Sequence, residues 1–227
     1  MSQELIDFLG QNYFVLVYAI TLVIAIFYYR KYFDTELKYF PLIIAYTFFN
    51  ELLGYFIRYT DGFAFFPEKE YLNANDIIYN IYSLIFFGFF YHVYWKLFKT
   101  NKRWILYGSI IILLSFIISC FYQNPFLQSL YYSIALGSLF LFVLVVFYLI
   151  GAKQSLKWSL QKYNLMFWVS IGLGIFYLFF PTIYLIGFKN YELWQKLELR
   201  NVLKILIVLM YSLFSIGFIV SKRKVFH

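Results

Sequence analysis

The feature that most constrains this chain is a series of seven long apolar stretches separated by short charged loops. The stretches are residues 13–29, 39–57, 77–95, 104–122, 129–150, 165–187 and 205–221. Each approaches the roughly 20 residues that a helix needs to cross a bilayer. Because lipid offers no hydrogen bonds to the backbone, segments of this length can cross only as helices. The sequence therefore predicts an all-α polytopic membrane protein with seven transmembrane helices in a single domain over residues 1–227.

Composition supports this class and excludes others. Hydrophobic residues make up 63% of the 227 residues and charged residues 13%, about half the charged fraction of an average soluble domain. The net charge of +8 comes from basic residues in short runs between the apolar stretches. Such runs are typical of membrane flanks, so nucleic acid is not expected as a partner. The single cysteine, Cys120, excludes a disulfide framework and a cysteine metal site.

The distribution of Lys and Arg predicts the orientation of the chain. Basic residues cluster after the first, third, fifth and last stretches, at Arg30, Lys31, Lys38, Lys96, Lys99, Lys102, Arg103, Lys153, Lys157, Lys162, Lys222, Arg223 and Lys224. Because cytoplasmic loops are enriched in basic residues, we predict the N-terminus outside and the C-terminus inside. The first residues carry Glu4 and Asp7 and lack the basic region of a signal peptide, so the first stretch is expected to remain as a span.

Glu51 is the acidic residue that lies well inside an apolar stretch. A carboxylate in a bilayer costs at least a few kcal/mol unless it is paired or neutralised, which makes this position a candidate site. Helical spacing places it on one face with Thr47, Gly54, Tyr55 and Arg58. Its candidate counter-charges are Arg58, Arg200 and Lys204, whose long side chains can reach inward. The alternative is a satisfied buried hydrogen bond that orients the helices.

Two further polar stripes lie at comparable depth in the third and seventh stretches. The third contains Asp76, Tyr79, Asn80 and Ser83, and the seventh contains Asn201, Lys204, Tyr211, Ser212 and Ser215. Together with the Glu51 face they predict a polar cavity between the second, third and seventh helices, open to the outside. The predicted ligand-binding residues are Glu51, Asn50, Tyr55, Arg58, Tyr79, Asn80, Ser83, Asn201 and Lys204. Small residues at four-residue spacing, including Ser129 and Ser133, are interpreted as helix-packing stripes.

The sequence offers little support for catalysis. Two histidines, His92 and the terminal His227, cannot build the ligand set of a zinc hydrolase. No second intramembrane acid is present for a carboxyl dyad, and Ser138 has no histidine at matching depth to act as a base. We therefore expect no catalytic residues, no bound metal and no cofactor.

Several short segments support a resemblance to a known group of proteins. They are Phe49-Asn50-Glu51-Leu52-Leu53, Ile78-Tyr79-Asn80-Ile81-Tyr82-Ser83-Leu84, Phe167-Trp168 with Gly172 and Gly174, and Asn201-Val202-Leu203-Lys204. This pattern resembles an uncharacterised family of small seven-helix bacterial inner-membrane proteins, and more distantly the seven-helix sensor bundles of some histidine kinases. The resemblance implies a multi-pass protein of the bacterial inner (cytoplasmic) membrane. A second acid expected about one turn after Asn80 is replaced by Ser83, Leu84 and Ile85, which weighs against a two-carboxylate mechanism.

Three functions remain open at this point. The leading hypothesis is a noncatalytic sensor or binding module that takes a small or lipid-like ligand from outside and acts through a separate signalling protein. The second is a small solute carrier or proton-coupled transporter, with Glu51 as the titrating group and Pro181 as a hinge. The third, and least favoured, is a lipid-modifying membrane enzyme. Membrane lipids are expected partners in every case, and the sequence does not predict the oligomeric state.

Overall fold

All regular structure in the described part of the chain is helical. The computed structural model describes residue 10 and residues 13–59, 75–98, 102–154 and 158–222, with backbone only for Arg58, Tyr59, Trp158 and Ser159. Its α-helices are α1 (Phe14–Phe27), α2 (Phe40–Tyr59), α3 (Asp76–Leu97), α4 (Lys102–Ser119), α5 (Tyr131–Gln154), α6 (Leu165–Lys189), α7 (Tyr191–Lys196) and α8 (Leu199–Val220). Short 3-10 helices cover Tyr29–Lys31 and Trp158–Tyr163. The predicted all-α class is confirmed.

Six of these helices, α2 to α6 and α8, are long and apolar enough to cross a membrane. The bounds of five of them lie within four residues of the predicted spans, because the apolar stretches themselves set the helix lengths; α8 begins six residues before its predicted span. Helix α1 is shorter, with 14 residues, a length of about 21 Å against the roughly 30 Å of a bilayer core. It ends at Phe27, ahead of the 3-10 turn Tyr29–Lys31. A multi-pass membrane protein with six candidate spans is therefore supported, and the seventh crossing stays a prediction.

Polar contacts join three chain segments at one end of the bundle. The Lys31 side chain, after α1, donates a 2.6 Å hydrogen bond from Nζ to the carbonyl oxygen of Ile219 in the last turn of α8. Burial lowers the pKa of this Lys31 ammonium group from its ordinary value. The Lys222 backbone N–H, after α8, donates to the carbonyl oxygen of Tyr163, before α6, at 3.0 Å. The predicted basic side of the chain thus contains segments that contact one another.

Helices α1, α2, α3, α5, α6 and α8 form a ring in that order, and α4 packs outside it against α3 and α5. The α5–α6 and α6–α8 interfaces are the most extensive. Gly172 explains the close approach of α6 to α8, because a Cβ atom there would lie 3.0 Å from the backbone oxygen of Met210. Such small residues allow membrane helices to pack closely.

A cluster of buried aromatic rings fills the ring of helices toward the end that holds Lys31. Phe40 of α2 lies 5.6 Å from Phe90 of α3 between ring centroids, and 5.2 Å and 5.7 Å from Phe214 and Phe218 of α8. All four rings are buried. We call these four residues the aromatic plug. The candidate site lies in the other half of the bundle.

Candidate ligand-binding cavity

A cavity of about 260 Å³ lies inside the helix ring, next to the aromatic plug. Its described lining residues are Tyr18 of α1, Thr47 and Glu51 of α2, Tyr79, Tyr82, Ser83, Phe86 and Phe87 of α3, Ser129 and Ile134 at the start of α5, Phe176, Tyr177, Phe180 and Tyr184 of α6, and Ile207, Met210 and Tyr211 of α8. Along α3 the lining runs from Tyr79 to Phe87, about 12 Å of helix. Phe86 joins the cavity to the plug, since its ring centroid lies 4.9 Å from that of Phe90.

The Glu51 carboxyl group forms one wall of this cavity. The Tyr79 hydroxyl donates a hydrogen bond to Glu51 Oε2 at 3.3 Å. Gly54, almost one turn along α2, makes room for this tyrosine, because a Cβ atom at Gly54 would collide with the Tyr79 hydroxyl oxygen. Neither Arg200 nor Lys204 lines the cavity, and the Arg58 side chain lies outside the described residues. The predicted pairing of Glu51 with a basic residue is therefore absent from the described lining of the cavity.

Thr47 Oγ1 is the centre of a second hydrogen-bonded group in the cavity wall. It donates to the carbonyl oxygen of Ile43 at 2.9 Å, one turn earlier in α2. Tyr211 donates to the same Oγ1 at 3.3 Å, and the Tyr82 hydroxyl lies 3.0 Å from it. Since the single Thr47 proton is engaged by Ile43, the Tyr82 hydroxyl must also act as a donor. Thr47 thereby joins α2, α3 and α8 through one oxygen atom.

Two other hydroxyls of the wall also donate within the protein. Ser83 Oγ donates to the carbonyl oxygen of Tyr79 at 2.9 Å, and Ser129 Oγ donates to Asp76 Oδ1 at 2.6 Å. Ser129 thus has a polar role at the cavity rim beyond the packing role that its four-residue spacing indicates.

Tyr18 and Tyr177 differ from the other tyrosines of the wall. Their side chains are only 3% and 6% exposed, and both line the cavity. Within the described part of the chain, neither hydroxyl has a hydrogen-bond partner. Buried hydroxyls are usually paired, so these two groups are available to a molecule inside the cavity.

Three of the predicted site residues line the cavity, namely Glu51, Tyr79 and Ser83. Asn50, Tyr55, Asn80, Asn201 and Lys204 do not, and the side chain of Arg58 is not described. Asn50 and Tyr55 are buried elsewhere on α2, and Asn201, exposed in the first turn of α8, donates to Glu198 Oε2 at 3.1 Å. Lys204 is half-buried one turn further along α8. The cavity meets α8 only from Ile207 onward, deeper than the predicted Asn201 and Lys204.

Asn80 is engaged by the segment between α4 and α5. Its Nδ2 donates to the carbonyl oxygens of Pro125 at 2.8 Å and Gln128 at 3.2 Å. Its Oδ1 accepts from the backbone N–H of Leu130 at 2.9 Å. A side chain with these three bonds fixes the segment that carries Ser129 into the cavity wall.

Sequence reasoning missed the contributions of α1, α5 and α6. The residues not predicted for the site include Tyr18, Thr47, Tyr82, Ser129, Tyr177, Tyr184 and Tyr211. Thr47 and Tyr211 lay on stripes that the sequence had already identified. The aromatic face of α6, with Phe176, Tyr177, Phe180 and Tyr184, was a detectable signal, since these positions share one helical side.

A second concave surface, of about 480 Å³, lies between α3 and α4. Its lining is mainly apolar and includes Leu84, Leu106, Ile112 and Leu113, with His92 and Trp95 toward the end of α3. Helix α4 is the least buried of the six candidate spans. We call this surface the α3–α4 groove; its described lining contains no acidic residue.

The described residues contain no group of three or more His, Cys, Asp or Glu side chains that could hold a metal ion. Comparisons with known protein families, curated proteins and solved structures find no match for the chain. The geometry of the cavity is therefore the basis for a proposed function.

Proposed function

We propose that this chain is a noncatalytic binding protein of the bacterial inner membrane that holds a small ligand in the Glu51 cavity. In this proposal α1 also crosses the membrane, which gives seven spans in all. The N-terminus is then outside and the C-terminus inside. The observation that carries the proposal is the pair of buried hydroxyls, Tyr18 and Tyr177, that face the cavity without a partner among the described residues. A cavity of about 260 Å³ exceeds the roughly 150 Å³ that accommodates benzene in a protein core.

Binding is favoured over transport by the aromatic plug. The proposed topology puts the cavity in the outer half of the bundle, while Phe40, Phe90, Phe214 and Phe218 fill the inner half. A polar solute would meet four buried rings on its way to the cytoplasm, and desolvation opposes that passage. The arrangement suits a molecule that enters and leaves on the same side.

We further propose that a sensor of this kind acts through a separate signalling protein in the membrane. Helix α4 supplies a surface for such contacts, because it lies outside the helix ring and exposes large apolar side chains away from the α3–α4 groove, such as Ile110 and Ile118. Crosslinking from α4 in native membranes should recover the same partner repeatedly. Recovery of lipid adducts alone would contradict the signalling role.

A solute carrier is the second candidate, and the observation that favours it is Pro181. This residue lies inside the continuous helix α6, between Phe180 and Tyr184, both of which line the cavity. Proline removes a backbone hydrogen bond inside a helix, which is where a membrane helix can bend. Flux of a bound solute into proteoliposomes, lost in Pro181→Ala but unchanged in a variant of the plug, would favour this candidate.

The α3–α4 groove is proposed to contact membrane lipid. Lys96 and Lys102 place their ammonium nitrogens 5.4 Å and 5.1 Å from the centroid of the Trp95 ring, at one end of the groove. An apolar groove with basic side chains at its end suits an acyl chain below an anionic headgroup. Phe87 lines both this groove and the cavity, but lipid contact in the groove does not require a ligand in the cavity.

Native mass spectrometry of the protein in lipid nanodiscs tests the binding proposal. We expect a small molecule to be released from the wild type and from Ile205→Trp, whose residue is 60% exposed on α8. The molecule should be lost in Ile207→Trp, which places an indole in the cavity two residues further on. A wild-type protein that carries no small molecule, or one that Ile207→Trp retains equally, would contradict the proposal.

A further inference from the structure

The charge of the cavity wall identifies the class of molecule that it can hold. Glu51 is the only Asp, Glu, Lys, Arg or His side chain among the described lining residues. No Lys, Arg or His side chain stands beside it in the described lining of the cavity. An anionic ligand would be repelled by this carboxylate, whereas a cation would pair with it in a medium where charge interactions are strong.

The hydrogen bonds of the wall have a common direction. Thr47, Tyr79, Tyr82, Tyr211, Ser83 and Ser129 all donate their hydroxyl protons to groups of the protein. A hydroxyl whose proton is engaged offers only oxygen lone pairs to a ligand. The cavity is therefore rich in acceptors, and the complementary ligand carries N–H donors.

The remaining surface of the cavity consists mainly of aromatic rings. Ten of the seventeen described lining residues are Tyr or Phe, so a ligand inside touches ring faces and edges more than aliphatic groups. The Tyr177 ring lies 6.3 Å and 6.1 Å from those of Phe86 and Phe87 between centroids. Tyr18 of α1 and Tyr211 of the neighbouring helix α8 meet edge to face at 4.5 Å between ring centroids. Aromatic faces attract ammonium groups through their negative quadrupole.

From these three observations we propose that the ligand is a small organic ammonium ion, a protonated amine with an apolar body. Its nitrogen pairs with the Glu51 carboxylate and donates to the surrounding hydroxyl oxygens, while its body contacts the rings of α3 and α6. A bare metal ion suits this wall less well, since Na⁺ or Ca²⁺ requires a shell of oxygen ligands on all sides. The inference rests on the proposed binding function and specifies its ligand class.

Three probes of nearly equal shape separate charge from size. We propose to measure binding of 2-phenylethylammonium, the neutral 2-phenylethanol and the anionic phenylacetate to the wild-type protein in nanodiscs at neutral pH. The ammonium ion should bind about tenfold tighter than the alcohol or more, because hydrogen bonds to a charged group are about twice as strong as neutral ones. Phenylacetate should not bind measurably.

Two matched pairs of variants locate the effect. Glu51→Gln should weaken 2-phenylethylammonium about tenfold to a hundredfold and leave 2-phenylethanol within about twofold, whereas Glu192→Gln on the exposed face of α7 should change neither. Tyr177→Leu should weaken the ammonium ion about threefold to thirtyfold through loss of the ring. Tyr107→Leu, at an exposed tyrosine of α4, is its control.

The outcomes distinguish this inference from the proposed function. If 2-phenylethanol or phenylacetate binds as tightly as the ammonium ion, the ligand class is wrong while the cavity remains a binding site. If no probe binds the wild type, the ammonium assignment is likewise overturned, and the mass-spectrometric comparison of Ile207→Trp with Ile205→Trp still decides the binding function. If Glu51→Gln does not fold, the ratio of ammonium to alcohol affinity in the wild type decides alone.

Discussion

The regions around Asn80 and Glu51 are neighbours in the molecule, yet they handle their polar groups differently. Asn80 makes three hydrogen bonds to backbone groups of the segment before α5. Glu51 receives one hydrogen bond from the described residues, and its donor is the hydroxyl of Tyr79, the residue before Asn80. A fully bonded amide is part of the scaffold, whereas a carboxylate with unused acceptor capacity is available to a ligand. Four pairs of variants test this distinction.

The largest effect is expected from Asn80→Leu. The substitution leaves two carbonyl oxygens and one backbone N–H without their partner, and we expect the free energy of unfolding to fall by about 3 kcal/mol. Unfolding in mixed detergent micelles measures this loss, with the exposed Asn201→Leu as control. If Asn80→Leu kept its stability but lost ligand binding, Asn80 would belong to the binding site and the comparison would fail.

Thr47→Val should have the next largest effect. Valine keeps the shape of the side chain but removes the oxygen atom that accepts from Tyr82 and Tyr211. Two tyrosine hydroxyls lose their acceptor, so we expect a loss of about 1–2 kcal/mol in unfolding free energy. Thr47→Ser retains the oxygen and should restore most of it. Equal losses in both variants would show that the methyl group, and not the oxygen, stabilises this region.

Two buried tyrosines provide a smaller and sharper test. The Tyr91 hydroxyl donates to the carbonyl oxygen of Gly137 at 2.7 Å, and Tyr91→Phe should lower the free energy of unfolding by about 1 kcal/mol. The Tyr177 hydroxyl has no partner within the described residues, so Tyr177→Phe should change stability by less than about 0.5 kcal/mol. Thermal unfolding of the ligand-free protein compares them. A loss at Tyr177 equal to that at Tyr91 would contradict an available hydroxyl.

The smallest effect is expected from Gly54→Ala compared with Gly88→Ala. Both are helical glycines, and alanine favours a helix by about 1 kcal/mol. A Cβ atom at Gly88 would meet nothing within 4 Å, so that variant should be neutral or slightly more stable. At Gly54 it would displace the Tyr79 hydroxyl from Glu51, which should offset the gain and weaken ammonium binding. Equal behaviour in both properties would mean that the Tyr79–Glu51 contact is unimportant.

The contrast between Asn80 and Glu51 also shows why sequence reasoning grouped them. Tyr79, Asn80 and Ser83 share the outer half of one apolar stretch, and depth along a helix can be derived from sequence. Which side of α3 each residue faces depends on its neighbours. Tyr79 and Ser83 point to the cavity, while Asn80 points to the segment that precedes α5. Two residues one position apart lie about 100° apart around a helix, so similar depth does not imply a shared site.

The sequence by itself determined the helical class, six membrane-length apolar segments and the position of Glu51 as a candidate site. These follow from the length of the apolar stretches and from the cost of a carboxylate in lipid, both of which are local properties. It also placed Tyr79 and Ser83 at the depth of Glu51.

Only the tertiary structure decided which helices surround that carboxyl group. Tyr18 and Tyr177 are distant from Glu51 in sequence and reach the cavity because α1 and α6 belong to the same ring of helices. Lys204 remains outside the lining because the cavity begins deeper along α8, at Ile207. The order in which helices pack depends on the fit of their surfaces to one another, and that is a property of pairs of segments which no single stretch of sequence contains.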